Sequence, residues 1–199
     1  MLSNDDPNFW EQRYQEGTTP WDLGQPAPYF VSLLNSPSAI HPGRTAVLGC
    51  GRGYDAVLFA DRGFEVIGFD FAASGIVDAT CLAQETGSSA QFLQRDIFEL
   101  AAEFPSNFDY IVEHTCFCAI PVEKRTFYVK LVHSLLPPGG ELIGVFFTHS
   151  RLGGPPFGVT PAEIRKYFED DFEILSLEPV TNSVPARQGE EHFGRFRRI

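Results

Sequence analysis

Between residues 45 and 147 short β-rich runs alternate with helical patterns, and this alternation constrains the fold more than any other feature of the chain. Runs at 45–49, 65–69, 91–95, 108–113 and 141–147 read as strands. Helical stretches at 54–62 and 74–85 fall between them and stop at Gly63 and Gly87, residues suited to the left-handed end of a helix. A third helix opens at Pro121, with Phe127, Leu131, Val132, Leu135 and Leu136 read as one apolar face, and ends at Pro137-Pro138-Gly139-Gly140. Thr160-Pro161-Ala162-Glu163 is a capping box that starts a helix running to Phe168. Strands joined through helices run parallel, with right-handed crossovers that cover both sheet faces. Two late runs, 172–178 and 192–197, have no helix between them and predict an antiparallel hairpin at one edge. The expected fold is α/β: a doubly wound, mostly parallel seven-stranded sheet with helices on both faces.

Composition narrows the partners. The 199 residues carry 15 Lys and Arg against 26 Asp and Glu, a formal charge of −11. That balance disfavours a protein whose main partner is a nucleic-acid backbone or an anionic membrane. The longest apolar stretch is far shorter than the ~20 residues of a membrane helix. The N-terminus is acidic and polar, so no secretory leader is expected. Cys50, Cys81, Cys116 and Cys118 lack the paired spacing of a zinc site and are too few for a disulfide scaffold, which predicts reduced thiols and a cytoplasmic protein.

The turn after the first strand reads Gly49-Cys50-Gly51-Arg52-Gly53-Tyr54-Asp55. Glycines there let the backbone bend sharply and bring a ligand against main-chain N–H groups. Nineteen positions beyond Gly51, Asp70 closes the second strand, where a carboxylate accepts hydrogen bonds from ribose hydroxyls. Together these predict a nucleoside cofactor. In a dinucleotide site the third glycine falls three residues after the second; here it falls two after, and Asp55 would repel a pyrophosphate. S-adenosylmethionine carries no phosphate and has a cationic sulfonium, so it suits the two strand-end carboxylates better. Asp96 is the second of these, read as a partner for the adenine amino group or as a helix cap, with Ile97 packing on the ring or in the core.

Further segments make the chain recognisable: Phe9-Trp10-Glu11-Gln12-Arg13-Tyr14, Thr19-Pro20-Trp21-Asp22-Leu23-Gly24, Phe117-Cys118-Ala119-Ile120-Pro121 with Arg125, Gly153-Gly154-Pro155-Pro156-Phe157, and Val184-Pro185-Ala186-Arg187-Gln188-Gly189. With them the sequence resembles the thiopurine S-methyltransferase superfamily nearly end to end, and within it the plant and microbial thiol/halide methyltransferases. The resemblance implies one Rossmann-like methyltransferase domain over residues 1–199, with 1–35 as an N-terminal aromatic lid. It places Trp10, Tyr14 and Trp21 over the cofactor and Glu113 near the cofactor's methionine end. It also implies a substrate pocket gathering Phe117, Phe157 and Arg187, and a monomer, as family members often are. Glu113 stands where relatives carry Asp, and Phe157 where plant relatives carry Tyr, a change that shifts weight from halides to softer, more apolar thiols.

Methyl transfer is an in-line displacement, so positioning and desolvation supply most of the acceleration and no catalytic triad is expected. His114, Cys116 and Cys118 follow the fourth strand, at the sheet edge where such folds bind ligands, and the cysteines read as pocket wall rather than as nucleophiles. His149 reads as a loop histidine. The expected function is S-adenosylmethionine-dependent methylation of a small soft nucleophile (a thiol, bisulfide or thiocyanate), with halides secondary and no metal. The rivals are a thiopurine or selenium/tellurium-species methyltransferase, a non-catalytic S-adenosylmethionine-binding module and, least favoured, a small dehydrogenase.

Overall fold

The computed structural model describes residues 6–37 and 39–199. The first five residues of the expected lid lie outside that set. Two helices come first, α1 (Pro7–Gln15) and α2 (Pro28–Leu34), followed by β1 (Arg44–Leu48), α3 (Tyr54–Ala60), β2 (Glu65–Asp70), α4 (Ala73–Thr86) and β3 (Gln91–Gln94). The second half runs α5 (Leu100–Glu103), β4 (Tyr110–His114), α6 (Arg125–Leu135), β5 (Glu141–Phe147), α7 (Pro161–Phe168), β6 (Phe172–Pro179) and β7 (Glu191–Arg198).

The seven strands form one sheet in the order β3-β2-β1-β4-β5-β7-β6. The first five are parallel, and β7 returns antiparallel between β5 and β6, giving the expected edge hairpin. The order reverses between β1 and β4, which opens a crevice at their carboxyl ends. Gly49 and Thr115 follow those two strands directly, so the topology brings the glycine turn against the loop after β4.

Two apolar clusters sandwich the sheet. One packs Phe108, Phe117, Tyr128, Phe146, Phe168 and Phe196 around β4 and β5; the other packs Phe30, Phe59, Phe64 and Phe193 on the opposite face. Central β5 is apolar and buried on both sides, as a strand covered by helices must be. The capping box of α7 forms as expected, Thr160 and Glu163 each accepting from the other's backbone.

The helix after β4 differs from expectation. A 3₁₀ turn, Val122–Lys124, delays it to Arg125, and its buried face is Tyr128, Val129, Leu131, Val132 and Leu135. Phe127 falls one position around the cylinder from Tyr128 and is 62% exposed. The buried stripe of this helix runs through 128, 129, 131, 132 and 135, and position 127 lies just outside that arc on the solvent side.

Candidate active site

Gly49, Gly51 and Gly53 all adopt left-handed backbone conformations, with φ of 62°, 53° and 81°. At Gly49 a Cβ would stand 3.0 Å from Cys116 Sγ, and at Gly53 it would stand 2.8 Å from both Ala79 Cβ and Phe92 Cζ. The turn therefore needs glycine for its conformation and again for close packing. Asp70 locks it: one carboxylate oxygen accepts from Gly51 N at 2.8 Å and the other from Ala72 N at 2.9 Å. Burial pushes the Asp70 pKa up, and the backbone donors work against that shift. The Phe71 amide contributes as well, which leaves at least one acceptor position of the carboxylate for a further donor.

A cavity of about 360 Å³ opens over this turn, with Gly49 and Asp70 in its floor. Trp10, Tyr14 and Trp21 form one wall, Trp21 meeting Trp10 edge-on at 5.4 Å and Tyr14 at 5.8 Å between ring centroids. Three contacts dock this aromatic segment on the sheet domain. Glu11 accepts from Ser74 N at 2.9 Å and Ser74 Oγ at 2.6 Å, tying α1 to the first turn of α4. Arg52, from the glycine turn, pairs with Asp22 and donates to Thr19. Tyr14 lies across Gly51 and Gly75, where a Cβ would come within 3.1 Å of it. The cradle fits a nucleoside with a cationic tail: aromatic faces attract a sulfonium, and Asp70 is a buried acceptor at the floor.

Other expected residues are placed differently. Ile97 and Phe98 face the cavity, but Asp96 is not in its wall; its carboxylate accepts from Phe98 N at 2.9 Å and caps the turn Ile97–Glu99. Glu113 is fully buried beneath the cavity, where it accepts from Phe117 N at 3.1 and 3.2 Å; burial raises its pKa to about 7. It supports the turn Phe117–Ala119 and is not among the residues that line the cavity. Phe117 itself points into the core against Tyr128 and Phe146, because Cys116, Cys118 and Ala119 occupy the cavity side of that turn.

Phe157 also misses the cavity. Its ring folds over Gly154, where a Cβ would stand 2.4 Å away, while Pro155 and Pro156 contribute the wall. Its main chain is fixed at both polar groups: N–H donates to Cys118 O at 2.7 Å, and the carbonyl accepts from buried Arg125 at 3.0 Å. Arg125 also donates to Gly158 O, so the segment quoted with it and the Gly-Gly-Pro-Pro loop are one structural unit.

Arg187 does reach the cavity wall, but three of its five donors are engaged. It donates to Trp21 O at 2.6 Å, His114 Nε2 at 3.0 Å and Glu191 at 3.3 Å. His114 Nδ1 in turn lies 2.7 Å from Asp55, whose other oxygen accepts from Ala27 N. Burial lowers the His114 pKa, but Asp55 and Glu191 outweigh it, and the net direction is upward. This cluster escaped the sequence reading, since its members are 55, 114, 187 and 191 and only the sheet order brings them together. Thr115 and Phe147 were also missed as cavity residues; Thr115 adopts φ 60°, which a β-branched residue rarely does and which its type gave no reason to expect.

A family model described as thiopurine S-methyltransferase matches residues 5–197. The chain belongs to the thiopurine S-methyltransferase family. It is thus a methyltransferase with S-adenosylmethionine as its cofactor. This family member is 34% identical to a probable thiol methyltransferase 2 of Arabidopsis thaliana, across 100% of this chain and 88% of that one. It is 33% identical to thiocyanate methyltransferase 1 of the same plant, across 96% and 84%. A thiopurine S-methyltransferase of Pseudomonas fluorescens is 28% identical across 80% of this chain and 78% of its own. Among solved structures, a Burkholderia thailandensis 1,6-didemethyltoxoflavin N1-methyltransferase with bound S-adenosylhomocysteine superposes with a TM-score of 0.78 at 20% identity, covering 97% of this chain and 87% of that one. That likeness is one of fold. Among the described residues no helix is long and apolar enough to cross a membrane.

Proposed function

We propose that this methyltransferase acts on small, soft sulfur nucleophiles: a thiolate, bisulfide or thiocyanate. The observation that carries this reading is the lack of a base in the cavity wall. Among the described lining residues Asp70 is the one carboxylate, tied to two amides, and no histidine is present. Cys118 donates to Thr115 O, and burial pushes its pKa up to about 12; burial raises that of Cys116 as well. Neither thiol is then a nucleophile, and neither can take a proton from an acceptor. An acceptor already ionised near neutral pH needs no proton removed, which favours soft sulfur anions over alcohols or amines. The plant relatives' names point to the same class.

S-adenosylmethionine, when bound, supplies a methyl group on a sulfonium leaving group. Asp70 would hold its ribose, Gly49 and Gly51 would present backbone to it, and Ile97, set by the Asp96 cap, would pack on the adenine. Trp10, Tyr14 and Trp21 would face the sulfonium and exclude water as the lid of a single domain, while α2, also within the expected lid segment, packs in the core through Phe30 and Leu34. Arg13, stacked on Phe9 at 4.3 Å and with no carboxylate partner among the described residues, offers positive charge to an anionic acceptor. Arg187 adds what its unused donors allow.

The test follows S-adenosylhomocysteine formation across a panel of thiols, bisulfide, thiocyanate, iodide and a thiopurine. Thiols, bisulfide or thiocyanate are expected to turn over fastest. Iodide or the thiopurine turning over as fast would overturn the acceptor class, and binding without product from any acceptor would return the binding-module reading.

A further inference from the structure

The segment from Trp21 to Ala27 connects the aromatic wall to α2, and its two ends are gripped by one buried cluster. The Trp21 carbonyl accepts from Arg187 at 2.6 Å, and the Ala27 N–H donates to Asp55 at 2.7 Å. Between those two contacts runs an unbroken chain of side chains: Asp55 to His114 at 2.7 Å, His114 to Arg187 at 3.0 Å, and Arg187 to Glu191 at 3.3 Å. The four come from α3, β4, the turn Pro185–Arg187 and β7. Arg187 and Glu191 are each more than nine-tenths buried.

We propose that Asp55, His114, Arg187 and Glu191 form a clamp that holds Trp21 over the cofactor, making Arg187 a positioning residue for methyl transfer rather than primarily a receptor for anionic acceptors. The geometry separates the two roles. An anion receptor presents its fork to the cavity, whereas Arg187 spends both terminal nitrogens on protein groups, one of them a lid carbonyl. Glu191 supplies the opposing charge that keeps the guanidinium buried there. Asp55, which the sequence presents only as a carboxylate beside the glycine turn, links that turn's helix to the far end of the lid segment. The clamp therefore ties lid position to the same turn that shapes the cofactor floor. The inference rests on the lid covering the cofactor, as argued above.

Both tryptophans of the chain, Trp10 and Trp21, lie in the lid, so tryptophan emission, excited selectively over the six tyrosines, reports on it alone. The variant R187M/E191Q removes the cation and its facing carboxylate together and leaves no lone buried charge between them. Its ligand-free tryptophan emission is expected to shift to the red, and S-adenosylhomocysteine is expected to bind about tenfold to a hundredfold more weakly, the loss of one charge-assisted hydrogen bond. KM for S-adenosylmethionine should rise by a similar factor, while KM for thiocyanate and for a neutral thiol stay together. R187K, which keeps the charge and one donor, should recover part of each effect. Wild-type emission and S-adenosylhomocysteine affinity in the double variant would overturn the clamp, as would a rise in KM confined to thiocyanate. Failure of the wild-type protein to bind S-adenosylhomocysteine would instead overturn the cofactor placement, and the ligand-free emission would still judge the clamp.

Discussion

Replacing Glu113 with glutamine should make the protein more stable, and only on the alkaline side. The carboxyl group is fully buried, and its pKa is raised from the ordinary 4.5 to about 7, chiefly by burial and against hydrogen bonds from the Phe117 and Cys116 amides. The unfolded chain ionises near 4.5 and the folded one near 7, so over that interval the unfolded state releases a proton that the native state retains. Stability is therefore fully present below the unfolded value and is lost as pH rises through the folded one. At about 1.36 kcal/mol per pH unit the gap amounts to roughly 3 kcal/mol, with roughly three-quarters of it appearing between pH 5 and pH 8. Glutamine cannot ionise, and its carbonyl can accept the same amide bond. For a domain of this size the E113Q variant should melt about 6–12 °C above wild type at pH 8 and close to it at pH 5. Tyr128 Oη, buried with no hydrogen-bond partner among the described residues and raised in pKa first by burial and then by Glu113, is an acceptor in the neighbourhood for the new amide group. Thermal and urea unfolding of both proteins at matched pH values isolates what the substitution itself changes. A stability difference that stays constant from pH 5 to pH 8 would refute the argument, because a packing change carries no such pH dependence.

Two further substitutions test the cavity floor and wall. Asp70→Ala removes the acceptor for Gly51 N and Ala72 N and unlocks the glycine turn; calorimetry should find S-adenosylhomocysteine bound at least tenfold more weakly, and unchanged affinity would remove Asp70 from the site. The double substitution C116S/C118S should retain methyl transfer within a few-fold of wild type in the S-adenosylhomocysteine assay, since both thiols are held protonated. Abolished turnover in a folded, cofactor-binding variant would mean that a cysteine carries the methyl group.

What was legible in the sequence is what repeats locally. Helix ends follow from local signals, because each lies within a few residues of its effect: Gly87 caps α4 and the Thr160 capping box opens α7, while α3 ends at Ala60 with Asp61 as its cap, ahead of the expected stop at Gly63. The glycine turn and Asp70 were legible for the same reason: parallel β1 and β2 carry a fixed separation of 19 residues into a hydrogen bond of 2.8 Å. Side-chain direction was less legible. Phe117, Phe157 and Glu113 belong to segments that do approach the cavity, yet in each case a neighbour takes the wall position. For Phe117, one residue's rotation about a 3₁₀ turn decides between cavity and core, and no periodicity spans so short an element. Asp96 shows the same ambiguity, since capping a turn and facing a ligand ask for the same residue type at the same strand end.

The buried cluster was illegible for a different reason, and that reason explains its use. Asp55, His114, Arg187 and Glu191 are each ordinary when read alone: a charged residue beside glycines, a histidine after a strand, an arginine in a loop, an acid opening an edge strand. Their meeting depends on β4 lying next to β1 and on β7 returning antiparallel beside β5, which turns four distant positions into contacts of 2.7–3.3 Å. A buried guanidinium beside one carboxylate and a histidine survives only where its donors are matched, because an unpaired charge there costs several kcal/mol. Trp21 supplies one of those matches through its carbonyl. Lifting the lid would strip a buried cation of an acceptor, so the cluster favours the closed arrangement before any ligand arrives. The −11 formal charge fits the same picture: attraction of a cationic cofactor needs no local cation, and the arginine at the wall is free to serve the lid.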